Sequence, residues 1–278
     1  MNDSFVTALN TQKSTTNWID VIAHNMTNVY TPGFREQQVN FKTFLGGAIS
    51  EDYDKKLDQG KSTPGTSKEN LFLEGKGFFL VKDATGKSIY TRLGEFKFDN
   101  EGVYRDRSGN TVQGYILNDK GEIMQGTKSV TSDLYEETAM KGGALDIPTT
   151  NIKMWIDPNN GKYLGKYDDY EIKNDGTIYG KADNGKRTVP LYRVTTRNFN
   201  NASALYEFKD GQFLETEESG KPLIGVGEIR SGLLEMSNAD FKGNISYYQM
   251  AKLQMDIANK LISTQKDLLQ ETLRLVGS

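Results

Sequence analysis

The side chains that do chemistry are few in this sequence and badly placed for it. His24 is the only histidine and there is no cysteine, so disulfides, thiolate zinc sites and cysteine nucleophiles are excluded, and no second imidazole is available for a triad or a metal pair. The adjacent carboxylates Asp168-Asp169 and Glu217-Glu218 are neighbours in sequence, which on a strand or loop point apart, whereas a hydrolase acid and base face each other across the substrate. Many Asp-x-x-Gly loops occur, but none has the twelve-residue spacing of a calcium-binding EF-hand, and turn formation accounts for them. Gly75-Lys76-Gly77 precedes an apolar strand instead of opening a helix, which argues against a phosphate loop. Asn25 stands in an Asn-x-Thr triplet that matters only in a eukaryotic secretory context. No catalytic, metal or cofactor set is expected, and the chain reads as a non-enzyme.

Charge and hydropathy exclude further classes. The formal net charge is -3, with Lys and Arg spread along the chain, so no basic footprint for nucleic acid exists. No run is long enough to span a bilayer. Residues Met1–Leu9 lack the basic region, apolar stretch and cleavage site of a secretory signal, so export, if it occurs, is expected to proceed without a cleaved signal peptide.

The elements carry the information instead. Near the start, Phe5, Ile19 and Met26 share one seven-residue row, and Ala8, Ile22 and Val29 share the next. Gln12 and Thr15 interrupt the two rows. A helix over 1–30 is predicted, ended by Pro32 and the reversal that Gly33 permits. Toward the other end, Tyr248, Met255, Ile262, Leu269 and Val276 recur every seven residues, with Ala251 and Ala258 on the small side of the stripe and Leu261, Leu268 and Leu275 flanking it. Such a helix is about 50 Å long at 1.5 Å per residue, and its stripe needs a partner to cover it.

Between the ends, short runs rich in β-branched and aromatic residues alternate with turn signals such as Asp99-Asn100-Glu101-Gly102 and Asn174-Asp175-Gly176. The predicted fold is therefore mainly β with terminal α-helices, the β part inserted between N- and C-terminal helices that form an axial, coiled-coil-like core. The domains are drawn at 1–30 (helix), 31–70 (extended linker), 71–145 with 189–232 (central β domain), 146–188 (small inserted β segment) and 233–278 (C-terminal helix).

Several of these places resemble the bacterial flagellar rod and hook proteins. Ala23-His24-Asn25-Met26-Thr27-Asn28-Val29-Tyr30-Thr31-Pro32-Gly33-Phe34-Arg35 is similar to the signature Ala-Asn-Asn-Ile-Ala-Asn-x-x-Thr-x-Gly-Tyr/Phe-Lys/Arg. His24 and Thr27 depart from it. Gly75-Lys76-Gly77-Phe78-Phe79, then Tyr90-Thr91-Arg92-Leu93-Gly94-Glu95-Phe96, resembles the family's middle pattern, and Gly232 to Asn238, with Glu235, Ser237 and Asn238, resembles the segment before its last helix. In the last helix, Lys252-Leu253-Gln254-Met255 replaces the usual Gln-Arg-Ala-Tyr, and Gly243 replaces an acidic residue.

The resemblance implies a structural rod subunit of the basal body, in the cell envelope, exported by the flagellar type III apparatus. Such a subunit self-associates into a helical tube beside neighbouring rod and hook proteins, transmits torque and forms an export channel, with no nucleic-acid partner and no membrane insertion. Hook protein is the close alternative. The middle segment is short for a hook subunit. A rival of another class is a β-rich carbohydrate-binding or adhesin module that stacks sugars on Trp155, Tyr163, Tyr167 and Tyr170. On the leading reading, the seam residues Phe5, Ile19, Ile22, Met26, Val29, Tyr248, Ala251, Met255, Ala258, Ile262, Leu269 and Val276 form the assembly interface. The two ends then order when sister molecules shelter them, because chain ordering costs about 1 to 2 kcal/mol per residue.

Overall fold

The two apolar seams become the longest helices of the chain. In a computed structural model, which describes residues 2–43, 49–126, 128–143, 147–154, 169–183, 185–209 and 211–276, α1 spans Asn2–Thr27, a short α2 spans Ser132–Met140, and α3 spans Phe241–Val276. Asn28 closes α1: its side-chain amide donates to the His24 carbonyl at 2.9 Å, and its Oδ1 accepts from Thr31 at 3.0 Å. Asp240 opens α3 by accepting from the backbone N–H groups of Lys242 at 3.2 Å and Gly243 at 3.1 Å, which satisfies two amides that have no partner inside the helix.

The chain divides into two compact units. The first comprises Met1–Thr31, Arg35–Lys56 and Ser237–Ser278. Within it α1 and α3 run antiparallel, as Gln12 meets Asn259 and Asn25 meets Asn244. A β-hairpin of Gln37–Thr43 and Ile49–Lys55 completes this unit, with Val39 opposite Tyr53. The expected linker over 31–70 therefore holds a paired hairpin, and Phe41 meets the Trp18 ring edge-on at 5.4 Å.

The second unit comprises Pro32–Phe34 and Leu57–Met236. Its main sheet is antiparallel throughout and, in spatial order, runs Asp169–Ile172, Thr177–Ala182, Arg187–Val194, Thr111–Ile116, Phe78–Lys82, Ser88–Thr91, Gln212–Leu214 and Tyr206–Lys209. The described part of the 146–188 segment is continuous with this sheet and not a separate insertion. Ile152, Met154, Ile172 and Ile178 lie in one core with Leu71, Phe79, Phe96 and Tyr104, where each buried large side chain contributes about 1.5 to 3 kcal/mol. The Phe96 ring stands edge-on to Phe79 at 5.2 Å and to Tyr104 at 5.5 Å. The C-terminal boundary also moves: Leu233–Glu235, placed by sequence in the last helix, is a strand paired with Ser62–Pro64. Its short apolar run satisfies its backbone through a partner far away in sequence, and helix begins only after the Asp240 cap.

Candidate assembly surface

Small residues draw the two long helices together. Ala8, Ile22, Ala251 and Ala258 are buried, as are the polar Ser14, Thr15 and Asn244. Phe5, Ile19, Met26, Val29, Met255 and Ile262 are half-buried, while Tyr248, Leu269 and Val276 are exposed. The predicted interface residues thus fall into two sets: one is occupied by packing within the chain, the other faces solvent.

A second apolar row on α3 is open along its length. Met250, Leu253, Ile257, Leu261 and Leu268 are all between 50% and 63% exposed, and their spacing of three, four and seven residues puts them on one face of the helix, turned away from the seam that carries Ala251 and Ala258. Sequence reading took Leu261 and Leu268 as flanks of the main stripe. The offset of Met250, Leu253 and Ile257 by two positions from the heptad row of Tyr248 and Met255 is the signal for a separate face.

Polar family residues lock the base of this unit. Asn25 is buried and treats Gln37 as a strand neighbour: its Oδ1 accepts from the Gln37 N–H at 3.0 Å and its Nδ2 donates to the Gln37 carbonyl at 2.8 Å. The same Nδ2 lies 3.3 Å from Asn244 Oδ1, and Asn244 Nδ2 donates to Glu36 Oε1 at 2.7 Å. Asn238 accepts from the Glu36 N–H at 2.7 Å and donates to the Lys56 carbonyl at 2.6 Å. Four chain segments are joined by bonds that a dry interior makes costly to lose. Glu36, Lys56 and Asn244 were missed by sequence reading, although an Asn on the row of Ala251 and Ala258 is the kind of polar seam residue that fixes register.

The second unit holds the remaining motif residues around one buried ion pair. Arg92 and Glu235 side chains are 5% and 1% exposed and meet at 3.3 Å. Glu235 Oε1 also accepts from the Gly60 N–H at 2.8 Å, and its backbone carbonyl accepts from the Gly33 N–H at 2.8 Å. Arg92 donates to the carbonyls of Leu73, at 2.8 Å, and Gly75, and its guanidinium lies over the Phe78 ring. Gly94 is required by space, since a Cβ there would sit 1.7 Å from the Leu71 carbonyl oxygen. Gly77 is held at φ +125°, a conformation for glycine, beside the Arg197 carbonyl. Phe34 is buried, Tyr90 packs edge-on to Phe199 and bonds to Glu215, and Pro32 follows the Thr31 turn, while in the first unit Ser237 accepts from the Ala239 N–H. These residues build and brace the fold.

Among the described residues, no three His, Asp or Glu side chains come together as a metal site, and no helix is long and apolar enough to cross a membrane. His24 is half-buried on α1. Trp155, Tyr163, Tyr167 and Asp168 lie outside the described residues, and Tyr170 is engaged by Glu69 and by the Lys68 ammonium over its ring.

Comparison with known proteins points the same way as the geometry. Residues 72–180 match the family model of the flagellar hook protein FlgE/F/G D1 domain. The chain is 26% identical to the flagellar basal-body rod protein FlgG of Bacillus subtilis, over 92% of both chains. It is 25% identical to the rod protein FlgG of Caulobacter vibrioides, over 92% of this chain and 93% of that one. A flagellar hook protein FlgE of Borreliella burgdorferi is 30% identical, but over 64% of this chain and 43% of its own length. With a family domain matched at the centre and rod-protein likeness running nearly end to end, the chain is similar to the flagellar rod and hook proteins.

Proposed function

We propose that this protein is a structural subunit of the bacterial flagellar rod, polymerising through its terminal helices. The observation that carries the reading is the open apolar row Met250, Leu253, Ile257, Leu261 and Leu268 on α3. An exposed contiguous apolar face of this kind marks a protein interface, and sister helices supply the matching surface. The polymer is a tube in the basal body, flanked by other rod and hook proteins. It passes torque along intersubunit packing, and its lumen serves the type III export apparatus that delivers each subunit across the envelope. Rod proteins align at nearly equal length, over 287 residues and 92% of both chains, whereas one hook protein is covered to 43% and another, covered to 97%, takes a 398-residue alignment, and this match in length favours rod over hook. The α1/α3 pair closes over alanines and leaves most of α3 in water, so its order is expected to rest heavily on sister molecules.

Ile257→Asp tests this. Ile257 is 54% exposed. Covering it yields about 1 to 1.5 kcal/mol at 25 cal/mol per Å², and an ionised carboxylate in its place adds several kcal/mol of desolvation. The critical concentration for polymer formation is expected to rise by more than about a hundredfold, with the circular dichroism of the dilute chain unchanged. Polymer of normal stability from Ile257→Asp refutes the claim that this row is the contact.

A further inference from the structure

One hairpin of the β unit carries a basic tip and borders a cleft at its other end. Thr177–Ala182 pairs with Arg187–Val194, with Thr177 opposite Arg193 and Ala182 opposite Arg187. The two ends of this hairpin differ in charge. Its turn presents Lys186 and Arg187, both exposed, with exposed Asp183 as the one acidic residue among its described positions. Its other end borders a cleft of about 420 Å³ lined by Tyr135, Ala139 and Met140 of α2, by Asp175 and Arg193, and by residues 225–229.

That cleft has an apolar floor and an acidic rim. Met140 is 80% and Val226 49% exposed, far more than a single unit needs. Glu136, Asp175 and Glu228 stand around it; Arg193 pairs with Glu136 at 3.6 Å and lies over the Tyr135 ring at 4.7 Å, and Arg230 lies 3.9 Å from Glu228, so three carboxylates there face two guanidiniums that are already committed. An extended basic side chain is the complementary guest, its stem on Met140 and Val226 and its head among the carboxylates. The hairpin is six residues long, about 20 Å at 3.3 Å per residue, so its own tip cannot reach the cleft.

We propose that the Lys186-Arg187 tip of one copy docks in the α2 cleft of the next copy. Donor and acceptor are different surfaces at opposite ends of one rigid element, so a head-to-tail contact between them is heterologous and propagates as an open chain where its rotation does not close. It rests on the assembly reading above but uses different residues, and it fixes direction, which a greasy helix face alone does not.

Because the chain has no cysteine, single-cysteine variants of the full chain test this cleanly. Thr188→Cys and Val226→Cys are mixed under conditions where the unmodified chain polymerises, then oxidised. Disulfide-linked heterodimer in large excess over either homodimer supports the proposal, as does its loss in the Lys186→Glu/Arg187→Glu background. That double variant is also expected to raise the critical concentration about tenfold, with Glu228→Lys in the partner recovering part of the loss. Polymer that forms normally yet gives no heterodimer, or equal homodimers, overturns the tip-and-cleft contact while leaving the α3 interface standing. Heterodimer formed in the Ile257→Asp background, without polymer, would support this contact even as the helical interface fails.

Discussion

Glu235→Ala removes the group on which the β unit closes. Glu235 Oε1 accepts the Gly60 N–H at 2.8 Å and Oε2 lies 3.3 Å from Arg92, in a place where the two side chains are 1% and 5% exposed. Breaking a buried pair leaves a charge uncompensated, which typically costs 3 to 5 kcal/mol. Arg92 keeps the Leu73 and Gly75 carbonyls, so the low end applies to the pair, about 3 kcal/mol. The orphaned Gly60 amide adds about 1 kcal/mol. A loss of about 4 kcal/mol lowers the melting temperature of a unit this size by roughly 10 °C. Urea titration followed by circular dichroism on the full chain measures it, and Glu235→Gln, which keeps an acceptor for Gly60, is expected to fall between. A loss below about 1 kcal/mol for the alanine variant would show that the pair is not the closure described here.

Alkaline titration reports the tyrosines. Burial is the main cause that raises Tyr90, Tyr104, Tyr135 and Tyr170 above the ordinary phenol value, helped by Glu215 at Tyr90, by Glu69 at Tyr104 and Tyr170, and by Tyr115 at Tyr135. The folded state therefore holds protons that the unfolded chain releases near pH 10. The stability they contribute is complete below that pH and is lost as pH rises toward the folded-state values; phenolate absorbance near the ordinary range from all tyrosines at once, without unfolding, contradicts this. In the helical unit, Asn25→Ala deletes both bonds to Gln37 and the contact with Asn244, at about 2 to 4 kcal/mol by two or three buried bonds. Hydrogen exchange in Gln37–Thr43 is expected to speed up by at least tenfold relative to the β unit, and unchanged protection there counts against the polar lock.

Local chemistry was legible in the sequence, and long-range closure was not. Asp99 shows the first kind: its Oδ1 accepts from the N–H groups of Glu101 and Val103 at 2.9 and 2.8 Å, so the turn is specified by residues within reach of one another. The β-hairpin at 37–55 shows the second. Val39 and Phe41 alternate with Gln38, Asn40 and Lys42 over only two apolar positions, and the hairpin is held besides by Asn25 and Asn238, whose motif could be quoted but whose partners could not be named. Glu235 and Arg92 are 143 residues apart, and a carboxylate in an apolar run reads as a surface group until its cation is seen.

The same limit applies to the assembly surface, where an apolar stripe says that something covers it without saying what. Ile262 and Ile257 look equivalent in sequence, five residues apart on one amphipathic helix. Ile262 is half-buried on the seam with Ala251 and Ala258, whereas Ile257 stands in water. An aspartate at 262 therefore disturbs the α1/α3 pair within a single molecule as well as any contact between molecules, and loss of polymer there has two causes. An aspartate at 257 touches only the open row. The distinction turns a general statement about greasy ends into a question one substitution can answer, because the helix face that remains wet after the chain has packed against itself is the face left for a neighbour.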